Sequence, residues 1–128
     1  MASIELLDAS GQPHGVIVQV DSGAVISLLR RSVADELGLS LHNGQRVGLG
    51  GVGGGEVQAH VHVLSARFDD NVALDLPFAI SASEAVPNLL GRFGVFDRLS
   101  IHFDSVRKLT RIVLPRSRSG RRRRRASQ

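Results

Sequence analysis

The sequence predicts a mostly all-β protein with one or two short helices. Short apolar runs alternate with clusters of turn-forming residues from the N-terminus to about residue 114. Residues 57–64 alternate apolar and polar side chains with the period of two that is typical of a strand. Helical patterns are confined to residues 32–37 and 92–99, so helices are expected to be a minor part of the fold.

The N-terminal third of the chain reads as strands joined by a turn-rich loop. Ile4–Leu7 is predicted to be the first strand, and the turn formers of Asp8–Gly15 a loop. Val16–Val20 is apolar except at Gln19, so we expect a central strand that is buried on both faces. Val25–Leu29 is the next apolar run.

A short helix is predicted over Ser32–Leu37. Ser32 is the expected N-cap, with acidic residues in the first turn facing the helix dipole, and Gly38 is placed to end the helix. Leu39–Leu41 is expected to lead into a further strand.

The stretch Gly48–Gly55 contains six glycines in eight residues. This is too much backbone freedom for the interior of a packed strand. We therefore expect the tip of a mobile hairpin, with Arg46–Val47 and Val57–Leu64 as its arms. Val72–Ile80 is predicted to be another strand, in which Pro77 marks an edge or a bend.

The end of the predicted domain, 1–114, contains a short buried strand and a closing hairpin. Leu89–Gly91 is the strand, and Arg92–Leu99 is expected to form one or two helical turns. The hairpin pairs Ser100–Phe103 with Lys108–Leu114.

The charge of the chain is unevenly distributed. Residues 1–114 hold nine Lys and Arg against all 12 Asp and Glu, whereas residues 115–128 hold seven Arg and no acid. The segment 115–128 is therefore predicted to be a disordered Arg-rich tail. The run Arg121–Arg125 can contact nucleic acid through counterion release, and the alternative is a terminus that only aids solubility, since no aromatic residues are interleaved.

Composition excludes several classes of protein. A length of 128 residues suits one domain, and no apolar run approaches the roughly 18 residues that span a bilayer. Disulfides, thiolate zinc sites and a cysteine nucleophile are excluded because there is no cysteine. Neither a secretory signal nor membrane association is expected, and a cytoplasmic location fits the lack of cysteine.

The stretch Asp21-Ser22-Gly23-Ala24 is the most informative motif, because it delivers an acid from an apolar strand into a tight glycine turn. A second apolar run, Leu89-Leu90-Gly91-Arg92, follows about seventy residues later, and the glycine-rich stretch lies between the two. This order resembles the retropepsin-like aspartic proteases, and more closely their cellular and bacterial branch, in which a short helix follows the acidic loop.

The resemblance implies a fold and a set of roles. The fold would be the single-lobe closed β-barrel of the acid-protease type, with Asp21 as the catalytic acid and an extended peptide or protein as substrate. The expected loop support is Ser22, Gly23 and Ala24; the flap is Gly50, Gly51, Val52 and Gly53; the substrate pocket is Val25, Leu49 and Leu89; and the second motif is Leu90, Gly91 and Arg92.

The chemistry of the family needs two carboxylates that share a proton and activate a water molecule. The chain has one such motif and no room for a second lobe, so a symmetric homodimer with an Asp21/Asp21′ dyad is expected. No cofactor and no metal are expected. His60 and His62 share a strand face, but a solvated face is the more common reason for that spacing.

Three departures from the family pattern keep an alternative open. Retroviral members usually carry Asp two residues after the alanine, where this chain has Ile26, so Arg92 lacks that partner and is expected to pair with Asp97 or with an acid across the interface. Ser22 stands where most members of the family carry Thr. The closing hairpin also differs from the short C-terminal strand that joins retroviral dimers, which leaves the dimer geometry open. The alternative is a catalytically weak or inactive module of the same fold that dimerises or holds a peptide, with the basic tail contacting nucleic acid.

Overall fold

The computed structural model describes residues 1–52, 55–69, 72–96, 99–104, 106–107 and 109–113. Within these ranges the chain is mostly strands with one α-helix and one 3₁₀ helix, which confirms the predicted fold class. The strands are β1 (Ala2–Leu7), β2 (Pro13–Val20), β3 (Ser27–Leu29), β4 (Gln45–Val52), β5 (Gly55–Arg67), β6 (Ala73–Ser81), β7 (Leu89–Leu90), β8 (Ser100–Asp104) and β9 (Leu109–Val113); the helices are α1 (Arg31–Leu37) and the 3₁₀ helix Leu41–Asn43.

Seven strands form one sheet that closes on itself. Their spatial order is β1-β2-β7-β3-β6-β5-β4, and β1 also pairs with β5, so that the strands between them form a ring. An ion pair of 3.0 Å between Arg67 and Glu5 lies at this closure. The parallel pairings of β2 with β7 and of β3 with β6 bring segments distant in sequence side by side.

The larger of the two apolar clusters found among the described residues contains alternate residues of β1, β2, β5 and β6, and the buried side of α1 packs into it. The smaller cluster lies beside it. It consists of Leu28, Ala59, Ala79, Val86 and Leu89, against which Ala24, Ile26, Val47, Leu49, Val57 and Val61 pack. Strand β5 contributes to both clusters, since Ala59 belongs to the smaller one while Leu64 and Ala66 belong to the larger one.

Strand β2 is longer than predicted and is buried on one face only. Val16 and Val18 are buried, but the side chain of Ile17 is 63% exposed and Gln19 is also exposed. The prediction of burial on both faces is therefore wrong, because packing covers only the face that carries the two valines.

Helix α1 begins with the help of a distant loop. Its N-cap position is Arg30, which makes no side-chain cap, so the prediction that Ser32 caps the helix is wrong, and no acid lies in the first turn. Instead, the Ser32 N–H donates to Glu84 Oε2 at 2.6 Å, and this hydrogen bond holds the pKa of Glu84 below its ordinary value. Gly38 ends the helix as predicted, with a φ of 72°.

The β4–β5 hairpin reaches further into the glycine run than predicted. Gly48 lies opposite Gln58 in regular antiparallel pairing, and the ladder continues, with a register shift after Leu49, to Val52. Backbone hydrogen bonds between β4 and β5 hold these glycines in the strand, and such bonds need no side chain. The prediction that the whole glycine run lies outside a strand is therefore wrong. Residues 53 and 54 lie outside the described ranges. Leu39–Leu41 leads into β4 through the 3₁₀ helix Leu41–Asn43.

The remaining strands follow the predicted order. Strand β6 runs through Pro77, which lies opposite Val63, and the pairing with β3 begins one residue later at Phe78. Strands β8 and β9 form the predicted closing hairpin. The boundary at residue 114 and the Arg-rich tail fall outside the described residues. In the described part of the chain, no helix has the length and apolar character needed to cross a bilayer.

Candidate active site

The acidic turn forms where β2 leaves the sheet. The Asp21 N–H donates to Leu90 O at 2.9 Å, which fixes the acid to the end of β7. The Gly23 N–H donates to Asp21 Oδ1 at 2.9 Å, and the Ala24 N–H donates to Asp21 O at 3.2 Å. A Cβ at Gly23 would lie only 3.2 Å from the same carboxylate oxygen, so glycine lets the backbone approach the acid.

The second motif closes on the acidic turn through three backbone donors. The Gly91 N–H donates to Ser27 Oγ at 3.0 Å, the Arg92 N–H to Ala24 O at 2.9 Å, and the Phe93 N–H to Val25 O at 2.9 Å. We call the contact between residues 21–27 and residues 89–93 the clamp. Three successive N–H groups of residues 89–93 donate to residues 21–27. The backbone that carries the Asp21 carboxylate is therefore held in one position.

Gly91 is required by the lack of space in the clamp. A Cβ at this position would lie 2.6 Å from both the carbonyl carbon and the oxygen of Ile26, and 2.9 Å from Ala24 O. These are backbone atoms, which cannot move aside as a flexible side chain can. The glycine of the second motif therefore allows the two segments to touch.

Ser27 is a site residue that the sequence reasoning missed. It is fully buried, and its hydroxyl accepts the Gly91 N–H inside the clamp. The signal for it was a single hydroxyl within the apolar run Val25–Leu29. A buried polar side chain in such a run needs a partner, but the sequence does not say which one.

A cleft of about 640 Å³ opens in front of Asp21. Among the described residues that line it, Asp21 is the one titratable side chain, and all the others are glycine or apolar. One wall comes from the clamp and β3, and the other from the β4–β5 hairpin. The lining consists of Asp21, Gly23, Ala24, Val25, Ile26, Leu28, Gly48, Leu49, Gly50, Val57 and Leu89.

The structure brings most of the sequence-predicted site residues to this cleft. Val25, Leu49, Leu89 and Gly50 line it, as do Gly23 and Ala24 of the loop. Ser22 is exposed beside it, and Leu90 is buried in the core. Gly51 and Val52 lie in β4, and Gly53 is outside the described residues; their role as a flap stays a prediction.

The cleft also contains residues that the sequence did not single out. Ile26, Leu28, Gly48 and Val57 belong to its lining because β3 and the two arms of the hairpin face each other across it. Their alternation within short strands was visible in the sequence, but which face of each strand turns toward Asp21 was not.

Arg92 lies at the surface beside the clamp. Its guanidinium forms no ion pair with any of the described residues. The predicted partner, Asp97, lies outside those residues. With Val25, Phe93 and Phe96 it lines a second, shallower hollow of about 500 Å³.

Three histidines gather at the base of the β4–β5 hairpin. His42 Nδ1 lies 3.4 Å from His60 Nε2, and His62 Nε2 donates to Leu41 O at 2.9 Å. Burial, and then the nearby charges of His42, Arg46 and His62, lower the pKa of His60. No group of three or more metal-ligating side chains is found among the described residues.

A separate charged cluster ties the β1–β2 turn to helix α1. His14 Nε2 lies 2.8 Å from Asp8 Oδ2, and its Nδ1 lies 3.4 Å from Glu36 Oε1. Only the protonated imidazole donates at both nitrogens, so the hydrogen bond to Asp8 raises the pKa of His14. The same pair, together with Ser10, holds the pKa of Asp8 below its ordinary value. None of these residues lines the Asp21 cleft.

The ring of strands, with its acidic turn held by a second glycine motif, is the arrangement of the retropepsin-like aspartic proteases. The family described as gag-polyprotein putative aspartyl protease matches residues 8–92, more than half of the chain, and the chain belongs to this family. This confirms the resemblance inferred from Asp21–Ala24 and Leu89–Arg92.

Solved structures agree on the fold. A retropepsin-like aspartic protease from Rickettsia conorii is 18% identical, with 87% of this chain and 88% of that chain covered and a TM-score of 0.58. The EIAV protease complexed with the inhibitor HBY-793 is 20% identical, with 71% and 79% covered and a TM-score of 0.52. No curated protein matches the chain at a significant level.

Proposed function

We propose that this protein is an aspartic endopeptidase that hydrolyses peptide bonds with Asp21. The observation that carries the proposal is the position of this carboxylate, which the clamp presents at an otherwise apolar cleft in a member of an aspartyl protease family. An apolar cleft with one placed polar group is the general form of a site that orients a substrate for chemistry.

The reaction needs a second carboxylate. Two neighbouring carboxylates cannot both ionise readily, so they share a proton and titrate as a pair, and the dyad of aspartic proteases is the best-known case of such a pair. The ionised member takes a proton from a water molecule, which attacks the peptide carbonyl, while the protonated member donates to the developing oxyanion. Since Asp21 is the one carboxylate among the described lining residues, Asp21 of a second copy is the proposed partner in a symmetric homodimer.

The β4–β5 hairpin is the proposed flap. Its residues Gly48, Leu49 and Gly50 form the wall of the cleft opposite the acidic loop. Strand β4 ends the spatial order of the sheet, and a substrate peptide in extended form can be held by backbone hydrogen bonds between such a hairpin and the loop. Closure of the hairpin over the peptide would exclude bulk water from the carboxylates.

The first prediction is the loss of hydrolysis in Asp21→Asn. An unstructured polypeptide is incubated with the protein at pH 4 to 7, and cleavage is followed by mass spectrometry. The variant should lose at least about a thousand-fold in rate, because the amide can neither accept the proton from water nor share one with its twin. The matched control is Asp35→Asn, the same change at an exposed acid on α1, which should cleave like the wild type.

The same experiment distinguishes the endopeptidase from the second candidate function, which is a module that binds a peptide without cleaving it. The apolar lining favours retention of an extended peptide even without turnover. Saturable peptide binding by the wild type with no cleavage at any pH would support a peptide-binding module, and cleavage that Asp21→Asn leaves unchanged would exclude the proposed mechanism. Contact of nucleic acid by Arg121–Arg125 stays a prediction, since that segment lies outside the described residues.

A further inference from the structure

Two histidine side chains from separate segments meet at the base of the β4–β5 hairpin. His42 belongs to the 3₁₀ helix, His60 lies on β5, and His42 Nδ1 lies 3.4 Å from His60 Nε2. The two rings are almost perpendicular, with an interplanar angle of 86° and centroids 4.8 Å apart. The sequence places His60 beside His62 on one strand face, whereas the folded chain brings it to His42, 18 residues away. We call His42 and His60 the histidine pair.

The separation of the two nitrogens fits a shared metal ion better than a hydrogen bond. Hydrogen bonds with an N–H donor are usually about 2.7–3.2 Å long, and the observed distance exceeds that range. Two imidazole nitrogens on one tetrahedral Zn²⁺, each about 2.0–2.1 Å from the metal, lie about 3.3–3.4 Å apart. The spacing of 3.4 Å therefore matches two ligands of one ion.

The surroundings leave the two facing nitrogens available to a ligand. The other ring nitrogen of His60, Nδ1, is buried and has no hydrogen-bond partner among the described residues, so Nε2 is the nitrogen that can reach a ligand. His42 is exposed, which gives an ion a path from solvent and lets water complete its coordination. The opposing charge is Arg46, which pairs with His60 across the hairpin, but its Nε donates to Gln58 Oε1 at 3.3 Å, toward the hairpin tip.

The third histidine of this region positions the pair without joining it. His62 Nε2 donates to Leu41 O at 2.9 Å, next to His42 in the 3₁₀ helix, so this nitrogen is already engaged. A Cβ at Gly44 would lie 2.7 Å from two atoms of the His62 ring, so glycine lets the end of the 3₁₀ helix lie against β5. These contacts hold His42 beside His60 before any ion binds, and ligands that are already in place need little ordering on binding.

We propose that His42 and His60 bind a divalent transition-metal ion of the kind that prefers imidazole, with Zn²⁺ as the probe. Imidazole nitrogens suit Zn, Cu and Ni, whereas Mg²⁺ and Ca²⁺ need oxygen ligands, which the pair does not offer. Among the described residues no third ligating side chain completes the group, so water fills the remaining positions and the ion exchanges with solvent. The ion joins the 3₁₀ helix to β5, and neither histidine lines the Asp21 cleft.

The proposal is tested by Zn²⁺ binding to the full chain. The protein is dialysed against EDTA and then against chelator-free buffer, and is titrated with ZnCl₂ in excess Mg²⁺ by isothermal titration calorimetry. The titration is done at pH 7.5, because neutral imidazole is the ligand. The wild type should bind Zn²⁺, and His42→Gln and His60→Gln should each raise the dissociation constant at least about tenfold, because one imidazole is left to act alone.

His14→Gln is the matched control for these variants. His14 lies in the separate cluster with Asp8 and Glu36, so its loss should leave the dissociation constant unchanged. Nuclear magnetic resonance of ¹⁵N-labelled protein then locates the ion. Zn²⁺ should shift the ring resonances of His42 Nδ1 and His60 Nε2 together, and should leave both ring nitrogens of His14 unshifted.

Three results would overturn the proposal. They are a wild type that binds no Zn²⁺ up to millimolar concentration, single variants that bind it as tightly as the wild type, and ring shifts confined to other histidines. Circular dichroism checks that each variant is folded, and the ring shifts of the wild type decide the question if a variant is not. Because the readout is binding, the result is independent of peptide hydrolysis: a chain that cleaves nothing can still bind Zn²⁺ through the pair.

Discussion

The clamp and the β4–β5 hairpin face each other across one cleft, and the glycines that line the two walls have different surroundings. In the clamp, a Cβ at Gly91 would meet backbone atoms at 2.6 Å, so any side chain forces the two segments apart. In the hairpin, a Cβ at Gly50 would meet nothing within 4 Å. The clamp therefore leaves no room for a side chain at Gly91, whereas the hairpin has room for one at Gly50.

The largest predicted effect breaks the clamp. Gly91→Ala should lower the free energy of unfolding by at least about 3 kcal/mol, because the new methyl group meets the Ile26 carbonyl, which is backbone. Urea denaturation followed by circular dichroism measures the loss, and peptide hydrolysis should fall with it.

Gly50→Ala is the matched control for this change. It adds the same methyl group on the opposite wall of the cleft, where there is open space, so stability should change by no more than about 0.5 kcal/mol. Equal losses in the two variants would show that the contrast between the clamp and the hairpin is wrong.

A smaller effect is expected from Ser27→Ala, which removes the acceptor of the buried Gly91 N–H. A buried donor without a partner costs about 1–3 kcal/mol, measured by the same denaturation. Ser65→Ala is the control, since the hydroxyl of Ser65 donates to Asp75 at an exposed position and its loss should cost less. A larger loss at Ser65 than at Ser27 would contradict the role given to the clamp.

The smallest predicted effect concerns the base of the hairpin. Burial lowers the pKa of His60, so the folded state favours the neutral imidazole. This contribution to stability is present above the ordinary pKa of 6.5 and is lost as the pH falls toward the lowered pKa of the folded state. Amide exchange in residues 45–52 and 55–61, corrected for intrinsic rates, should therefore increase between pH 7.5 and pH 5.5, while exchange in the clamp should not.

Two histidine variants test the origin of that pH dependence. His60→Gln should reduce it, since glutamine does not titrate. His14→Gln should leave it unchanged, because His14 lies in the separate cluster with Asp8 and Glu36. A hairpin whose exchange responds to pH equally in His60→Gln and the wild type would exclude His60 as the cause.

Short-range sequence patterns were sufficient to predict much of the candidate active site. The apolar strand before Asp21 and the glycine two residues after it predicted an acid presented by a tight turn, in which the Gly23 N–H donates to the carboxylate. The second motif was also recognised from its own residues. The glycine run was interpreted less well, because its pairing with β5 depends on backbone ladders that composition does not reveal.

Contacts between distant segments could not be predicted. Glu84 binds the start of α1 from 52 residues away, which is why the assignment of Ser32 as its cap failed. His42 reaches His60 across 18 residues, and Ser27 reaches Gly91 across 64. Such pairs depend on which strands become neighbours, and a single sequence read by local pattern carries little information about that.

The sequence by itself determined the mostly-β class, the family and the acid that ends an apolar strand. It also identified Gly23 and Gly91, the glycines of the two motifs. These features could be predicted because the motifs and the turn and strand preferences each extend over only a few residues. The tertiary structure alone decided that Ser27 holds Gly91, that the hairpin walls the cleft, and that Val25 and Phe93 line one hollow. These depend on the parallel pairings of β2 with β7 and of β3 with β6, which bring together segments about fifty to seventy residues apart.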